Sequence, residues 1–287
     1  MVYDTIIIGK GPAGISASLY TVRANLKTLI IGKDESALVK AKEIENYYGF
    51  DKIISGQELL KSGIRQAENL GIELKSEEVV GISYQENFTV KTINDEYTSK
   101  IVIIATGAKR AKPKIEGIAE YEGKGISYCA VCDGFFHRNK DVAVLGSGEY
   151  AISEALELTP MANSVTILTN GGEAREVRNP KISFNNKKVR EFRGDSNKVQ
   201  TIDFEDDTSL NVSGIFIAEG TATSLDLAKK MGIETEKNNI VVDNNMSTNI
   251  PGIFACGDCT GGLLQISKAV HEGTKAGLSA IEFLKKT

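Results

Sequence analysis

Apolar residues in this chain gather in short blocks, each closed by glycine or a polar turn. Val2–Ile8 ends in three consecutive isoleucines and runs into Gly9, the pattern of a strand buried on both faces of a parallel sheet. Residues 13–24 then carry small and apolar side chains at helical spacing, and Thr28–Ile31 supplies a second buried strand. Residues 56–70 read as an amphipathic helix. Residues 72–100 shorten to strand-like alternation, with runs at 87–93 and 96–99 around a turn at Asn94-Asp95, a meander inserted into the first domain. Residues 100–105 form a further buried strand ended by Thr106-Gly107, and Pro113 opens a linker. Downstream, Asp141–Leu145, residues 152–158 and residues 165–168 repeat the order strand, helix, strand. The stretch 171–188, broken by Pro180, is too short and polar for the crossover helix that should follow.

The junctions between strands and helices carry glycines at a meaningful spacing. In Gly9-Lys10-Gly11-Pro12-Ala13-Gly14 the first glycine permits a tight turn and the second lets a pyrophosphate approach the backbone. The third allows helix and strand to pack closely, and the helix N-terminus holds the phosphates. With a strand before it, a helix after it and a second strand in place, this is the first βα turn of a Rossmann unit. Asp34 or Glu35 stands about 20 residues on, where a ribose-binding acid belongs. A second loop, Gly146-Ser147-Gly148-Glu149-Tyr150-Ala151, predicts a second such unit, although Glu149 puts a carboxylate where a pyrophosphate would arrive.

Composition narrows the classes. The 287 residues, 41% hydrophobic and 25% charged, suffice for two globular domains. A net charge of −4 without a basic run gives no reason to expect nucleic acid or an anionic membrane as partner. The apolar block 5–8 is too short for a signal peptide or a membrane span, so a cytoplasmic protein is expected. All four cysteines lie in C-x-x-C pairs, Cys129/Cys132 and Cys256/Cys259. In a reducing compartment such pairs are redox-active or bind metal. Two pairs can build a four-thiolate zinc site. Structural zinc sites, however, usually separate their pairs by roughly 15–20 residues, and these pairs lie in distant parts of the chain.

The order GKGPAG, EIENYYGF, IVIIATGA, CAVCDGFF, VLGSGEYA and GIFACGDCT resembles the low-molecular-weight thioredoxin reductases across essentially the whole chain. The resemblance implies an α/β fold of two Rossmann-like domains of the FAD/NAD(P)-binding type, the second inserted into the first. An FAD-binding domain would comprise residues 1–113 and 246–287, and a dithiol-bearing, NAD(P)H-binding-like domain residues 114–245. It implies FAD held by Gly9, Gly11, Pro12, Ala13 and Gly14, lined by Asn46, Thr106 and Gly107, and met at its ribityl chain by Gly257-Asp258. A last helix, 265–284, would point Gln265 and Ile266 at the flavin, its dipole favouring the anionic reduced form. By the same resemblance Cys132 is the flavin-proximal thiol, Cys129 attacks the substrate disulfide, Asp133 is the acid/base, and the protein is a homodimer without a metal. Cys256 stands where the family has a small apolar residue and reads as a buried core thiol. His137 reads as a surface or packing residue rather than a catalyst, and the pair Phe135-Phe136 as local packing.

One departure from the family concerns the electron donor. NADPH-dependent members follow the second-domain strand with a His-Arg-Arg run that grips the 2′-phosphate, since arginine pairs with phosphate through a bidentate fork. Here the strand is followed by Thr169-Asn170-Gly171-Gly172, with Arg175 and Arg178 the nearest arginines. NADPH is therefore doubtful, and the departure resembles the ferredoxin-dependent flavin thioredoxin reductases. Expected partners are thioredoxin or a thioredoxin-like protein and a reduced ferredoxin. The competing readings are a reductase that uses NADPH or NADH through a degenerate site, and a flavin- or zinc-loaded dithiol scaffold without turnover.

Overall fold

The computed structural model describes residues 1–33, 36–107, 113–175 and 177–286. The chain divides into two compact units, Met1–Arg110 with Thr223–Thr287, and Ala111–Ala222. The sequence placed the return to the first domain near residue 246. The division falls at Thr223 instead, because the helix Ser224–Met231 packs on the strand Val79–Tyr84 of the first unit, where Lys230 Nζ donates to the Val80 carbonyl at 3.2 Å.

The first unit begins β1 (Val2–Ile8), α1 (Pro12–Arg23), β2 (Thr28–Ile31), α2 (Gly56–Asn69), β3 (Glu73–Lys75), β4 (Val79–Tyr84), β5 (Phe88–Thr92) and β6 (Glu96–Ile104). Its sheet runs β3-β2-β1-β6-β5-β4, parallel from β3 to β6 and antiparallel beyond. The sequence divided β6 into runs at 96–99 and 100–105; it is one strand because β1 pairs along it from Val2↔Thr98 to Ile8↔Ile104. Ile6, Ile7, Leu29–Ile31 and Ile101–Ile104 are buried, as strands covered on both faces require. Helix α2 starts where Ser55 and Glu58 cap each other: Glu58 N–H donates to Ser55 Oγ at 3.2 Å and Ser55 N–H to Glu58 Oε2 at 3.0 Å.

The second unit contains α3 (Ile118–Tyr121), β7 (Ile126–Ser127), α4 (Ala130–Asp133), β8 (Asp141–Leu145), α5 (Glu149–Leu158), β9 (Ser164–Leu168) and β10 (Ile182–Asn185). It continues with β11 (Val189–Gly194), β12 (Val199–Phe204), β13 (Ser209–Asn211) and β14 (Gly214–Ile217). A parallel sheet runs β10-β9-β8-β14-β7 and an antiparallel meander β11-β12-β13. Among the described residues no helix connects β9 to β10. The meander supplies the missing cover: Val189, Phe192, Val199, Ile202 and Phe204 share one core with Ala143, Leu145, Leu168, Ile215 and Ile217 of the parallel sheet.

The chain re-enters the first unit with α6 (Ser224–Met231), β15 (Thr235–Glu236), β16 (Asn239–Ile240), β17 (Ile253–Ala255) and α7 (Ile266–Lys286). Strand β17 extends the sheet on the other edge of β6, from Ile253↔Val102 to Ala255↔Ile104. Helix α7 lies directly on α1: a Cβ on Gly273 would fall 2.1 Å from the Ala13 carbonyl oxygen and one on Gly277 2.6 Å from that of Ala17. Among the described residues no helix is long and apolar enough to cross a membrane.

Candidate active site

The first glycine loop is shaped around a ligand. Gly9 has φ +121°, and a Cβ there would come within 2.2 Å of the Ala105 carbonyl oxygen. Gly14 is equally crowded, its Cβ position lying 2.0 Å from the Gly9 oxygen. Gly11, between them, is different: the nearest atom to its Cβ position is Ser36 Oγ, 3.9 Å away. Gly11 also caps α1, and among the described residues no side chain caps the helix's first N–H groups; Pro12 follows, and the first turn carries no acid. Free N–H groups at a helix start beside an open glycine form an anion site. Beside them, Thr106 Oγ1 is buried and has no hydrogen-bond partner among the described residues, a donor waiting for an acceptor. These features fit FAD.

The C-terminal segment completes the same side of the unit. Gly257, at φ +83°, sits so close to α1 that a Cβ would be 2.8 Å from that of Ala13, which brings the half-buried Asp258 to the first turn of α1. A partly buried ion pair that the sequence did not reveal fixes this loop. Lys268 Nζ donates to the carbonyls of Gly257 and Gly261 at 2.7 and 2.6 Å and pairs with Glu272 at 2.9 Å, while Glu272 accepts the Gly257 N–H at 2.9 Å. Gln265 precedes α7 rather than opening it, its carbonyl accepting the Ala269 N–H at 3.0 Å. Asn46 is exposed in a loop closed by the Ile44–Ile54 bridge. Asp34 and Glu35 lie outside the described residues. Lys10, within the glycine motif, is buried and donates to Ser76 Oγ at 2.7 Å.

In the second unit Cys129 and Cys132 form a disulfide, with Cα atoms 5.3 Å apart. The short helix α4 creates this spacing: Cys129 is its N-cap, and the Cys132 N–H donates to Cys129 Sγ at 3.2 Å. Gly134 lets α4 settle on α5, since a Cβ there would meet Met161 Cε at 2.8 Å. Cys129 is buried and Cys132 exposed, so an incoming nucleophile meets the Cys132 sulfur. Asp133 reaches Cys129 through a residue that sequence reasoning missed: Ser127 donates to Asp133 Oδ2 at 2.6 Å and accepts the Cys129 N–H at 3.1 Å. Glu154 on α5, also missed, accepts the Ala130 N–H at 2.7 Å. Its place on the buried stripe 151, 154, 155, 158 was a visible signal, because a carboxylate among apolar neighbours needs a partner.

The packing residues divide. His137 is buried on the Gly214 backbone, 2.9 Å from Ser213 Oγ, with its ring edge-on to Phe216 and burial holding its pKa below the usual imidazole range. Phe135 and Phe136 were assigned to local packing and lie edge-on to each other with ring centroids 6.4 Å apart, but are 65% and 70% exposed, because the single turn Gly134–His137 buries its two end residues and leaves these two outside. The second cysteine pair is not a disulfide: Cys256 and Cys259 are free and fully buried, and burial pushes the Cys256 thiol well up and that of Cys259 up to about 12. Among the described residues no cluster of three or more His, Cys, Asp or Glu side chains forms a metal site.

The second glycine loop is occupied by its own chain. Glu149, the first residue of α5, pairs with Arg175 at 3.0 Å. The turn Thr169–Gly172 is closed by Gly172 N–H to the Thr169 carbonyl at 2.8 Å, and a Cβ on Gly172 would lie 3.1 Å from Ser147.

A protein-family model, pyridine nucleotide-disulphide oxidoreductase, matches residues 3–273. Thioredoxin reductase of Listeria innocua is 36% identical over 303 residues, covering 99% of this chain and 95% of the relative. The solved atypical thioredoxin reductase TRi of Desulfovibrio vulgaris Hildenborough is 40% identical, with a TM-score of 0.93 over 99% of this chain and 98% of the other. A ferredoxin-flavin thioredoxin reductase from Clostridium acetobutylicum is 33% identical, with a TM-score of 0.76 over 100% and 99%. A redox disulfide at a C-x-x-C turn, a flavin cradle and likeness along nearly the full length agree, and the chain belongs to the low-molecular-weight thioredoxin reductases of the pyridine nucleotide-disulphide oxidoreductase family.

Proposed function

We propose that this thioredoxin reductase receives electrons from a reduced ferredoxin rather than from NADPH or NADH, and delivers them through Cys129 and Cys132 to a thioredoxin disulfide. The observation that carries the choice of donor is the Glu149–Arg175 pair at 3.0 Å. It places a carboxylate at the helix start where a nicotinamide cofactor needs free N–H groups, and engages the arginine nearest to the missing basic run. The ferredoxin-flavin relative from Clostridium acetobutylicum supports the same reading. The driving force suffices: a ferredoxin near roughly −400 mV and a thioredoxin near roughly −270 mV differ by about 6 kcal/mol for two electrons.

Bound FAD supplies a two-electron store that can be filled one electron at a time. Gly9, Gly11, Pro12, Ala13 and Gly14 would hold its phosphates, Thr106 with Gly107 and Asp258 would meet its polar groups, and Asn46, Gln265 and Ile266 would border it. The exposed Cys132 sulfur accepts the electron pair and a proton from solvent, the disulfide opens, and Cys129 leaves as a thiolate that takes the second proton from Asp133. Cys129 returns its proton to Asp133 as it attacks the thioredoxin disulfide, the expelled thioredoxin thiolate takes that proton, and Cys132 closes on Cys129, its own proton leaving with the second thiol of the dithiol product. Two electrons and two protons pass in each cycle. A cytoplasmic location and a homodimer accompany this reading.

The test is anaerobic bleaching of the oxidised flavin. Reduced ferredoxin is expected to bleach it within the mixing experiment, while excess NADPH and NADH leave the absorbance unchanged over minutes. Rapid bleaching by either nicotinamide overturns the choice of donor and leaves the dithiol chemistry standing.

A further inference from the structure

Cys129 has carboxylates on two sides, and the chemistry above uses only one of them. Asp133 reaches the Cys129 N–H through Ser127. Glu154 accepts the N–H of Ala130, the next peptide, at 2.7 Å, and is 1% exposed. Its neighbours on the buried face of α5, Ala151, Ala155 and Leu158, are apolar. A charge is costly in such a place, and a neutral amide would cap α4 equally well. Of the peptide N–H groups that could steady a thiolate on Cys129, its own is committed to the Ser127 hydroxyl and that of Ala130 to the Glu154 carboxylate, leaving the Cys132 N–H on the sulfur at 3.2 Å. The other titratable groups around α4 among the described residues include Tyr128, His137, Tyr150 and Lys140, whose Nζ donates to the Phe136 carbonyl at 3.2 Å; Glu149 on α5 is engaged with Arg175, and Glu157 is exposed.

We propose that Glu154 is a positioning residue for the reductase dithiol, its buried carboxylate raising the proton affinity of the Cys129 sulfur and so making the Cys129–Cys132 pair a stronger reductant wherever the pH would otherwise ionise that thiol. The proposal rests on the thioredoxin reductase reading. When two electrons break the S–S bond, the two sulfurs take up two protons, and the carboxylate beside Cys129 favours the thiol over the thiolate there. A disulfide whose reduced form is denied thiolate stabilisation has a lower potential, which drives the following exchange toward reduced thioredoxin. In that exchange Cys129 gives up its proton as it attacks, a new S–S bond forms between Cys129 and Cys132, and both electrons and two protons leave on thioredoxin.

The experiment compares FAD-loaded wild type with Glu154→Gln and Glu154→Ala in dithiothreitol redox buffers, with thiols alkylated and counted by mass spectrometry. At a pH of about 10, where the thiolate is populated, Glu154→Gln, which keeps shape and hydrogen bond but removes the charge, is expected to shift the equilibrium nearly tenfold toward the reduced pair, or about 30 mV upward. In a Cys132→Ser background, with Glu154 intact, Cys129 thiolate absorbance should rise only above the ordinary thiol range near 8.5. Adding Glu154→Gln should lower that midpoint by about one unit. An unchanged Glu154→Gln equilibrium, a shift seen only in Glu154→Ala, or a Cys129 midpoint at or below about 8.5 with Glu154 in place overturns the proposal. Chemically reduced wild type that fails to reduce a thioredoxin disulfide would instead sink the underlying reading.

Discussion

The two glycine loops of this protein begin from the same motif and end in opposite states. Gly9 and Gly146 both adopt positive φ and press against a carbonyl, Ala105 in one and Ala218 in the other, at 2.2 Å from the Cβ position. The difference starts at the middle glycine: Gly11 has open space to 3.9 Å, while the Cβ position of Gly148 is already 3.0 Å from the Gly220 oxygen. One residue later Pro12 leaves its helix start uncharged, whereas Glu149 brings a carboxylate paired with Arg175. Glycine spacing therefore builds the turn, and the residues around the turn decide whether an anion can enter it.

The comparison breaks most sharply at its middle glycines. Gly11→Val adds a side chain where the protein has room, so the fold should survive while flavin affinity falls by about a hundredfold or more, read as lost yellow colour and lost turnover. Gly148→Val in the other loop should leave flavin content at its wild-type level. Equal flavin loss in both variants would end the distinction between the loops.

A smaller effect of opposite signs is expected at Thr106. Its buried hydroxyl lacks a partner in the protein alone, so Thr106→Val should raise the melting temperature of the flavin-free protein, since an unmet buried polar group is removed. The same change should weaken flavin binding about tenfold, as one hydrogen bond is lost. A variant that binds flavin as tightly as wild type would show that the hydroxyl does not face the cofactor.

The smallest effect belongs to the second loop. Arg175→Ala removes an exposed ion pair and should change stability by less than about 1 kcal/mol in a denaturant titration. Flavin bleaching by NADPH should stay absent, because the carboxylate remains at the helix start. A gain of nicotinamide reactivity would mean that Arg175 was the whole obstruction.

Much of the site was legible because it is written locally. The paired cysteines with Asp133, the glycine loop with Pro12 and Ala13, and Thr106-Gly107 after a buried strand are each contained in a few consecutive residues, where turn geometry ties residue type to position. What escaped was assembled from residues far apart. Ser127 and Asp133 meet because β7 runs into α4, Glu154 meets Ala130 because α4 settles on α5 over Gly134, and Lys268 reaches Gly257 only through the folding back of α7. Phe135 and Phe136, read as local packing, do lie against each other but are largely exposed, which their apolar character alone does not reveal.

The sequence by itself determined the two βα units, the position of the dithiol, the buried state of Cys256 and the weakness of the crossover segment after β9, because each follows from backbone sterics and short-range hydrophobic pattern. Only the tertiary structure decided that β6 is one continuous strand spanned by β1, that the chain re-enters the first unit at Thr223, that a meander covers the second sheet, and that Glu149 is answered by Arg175. Those outcomes depend on which distant surfaces bury each other, and burial between distant segments leaves no periodicity in either segment alone.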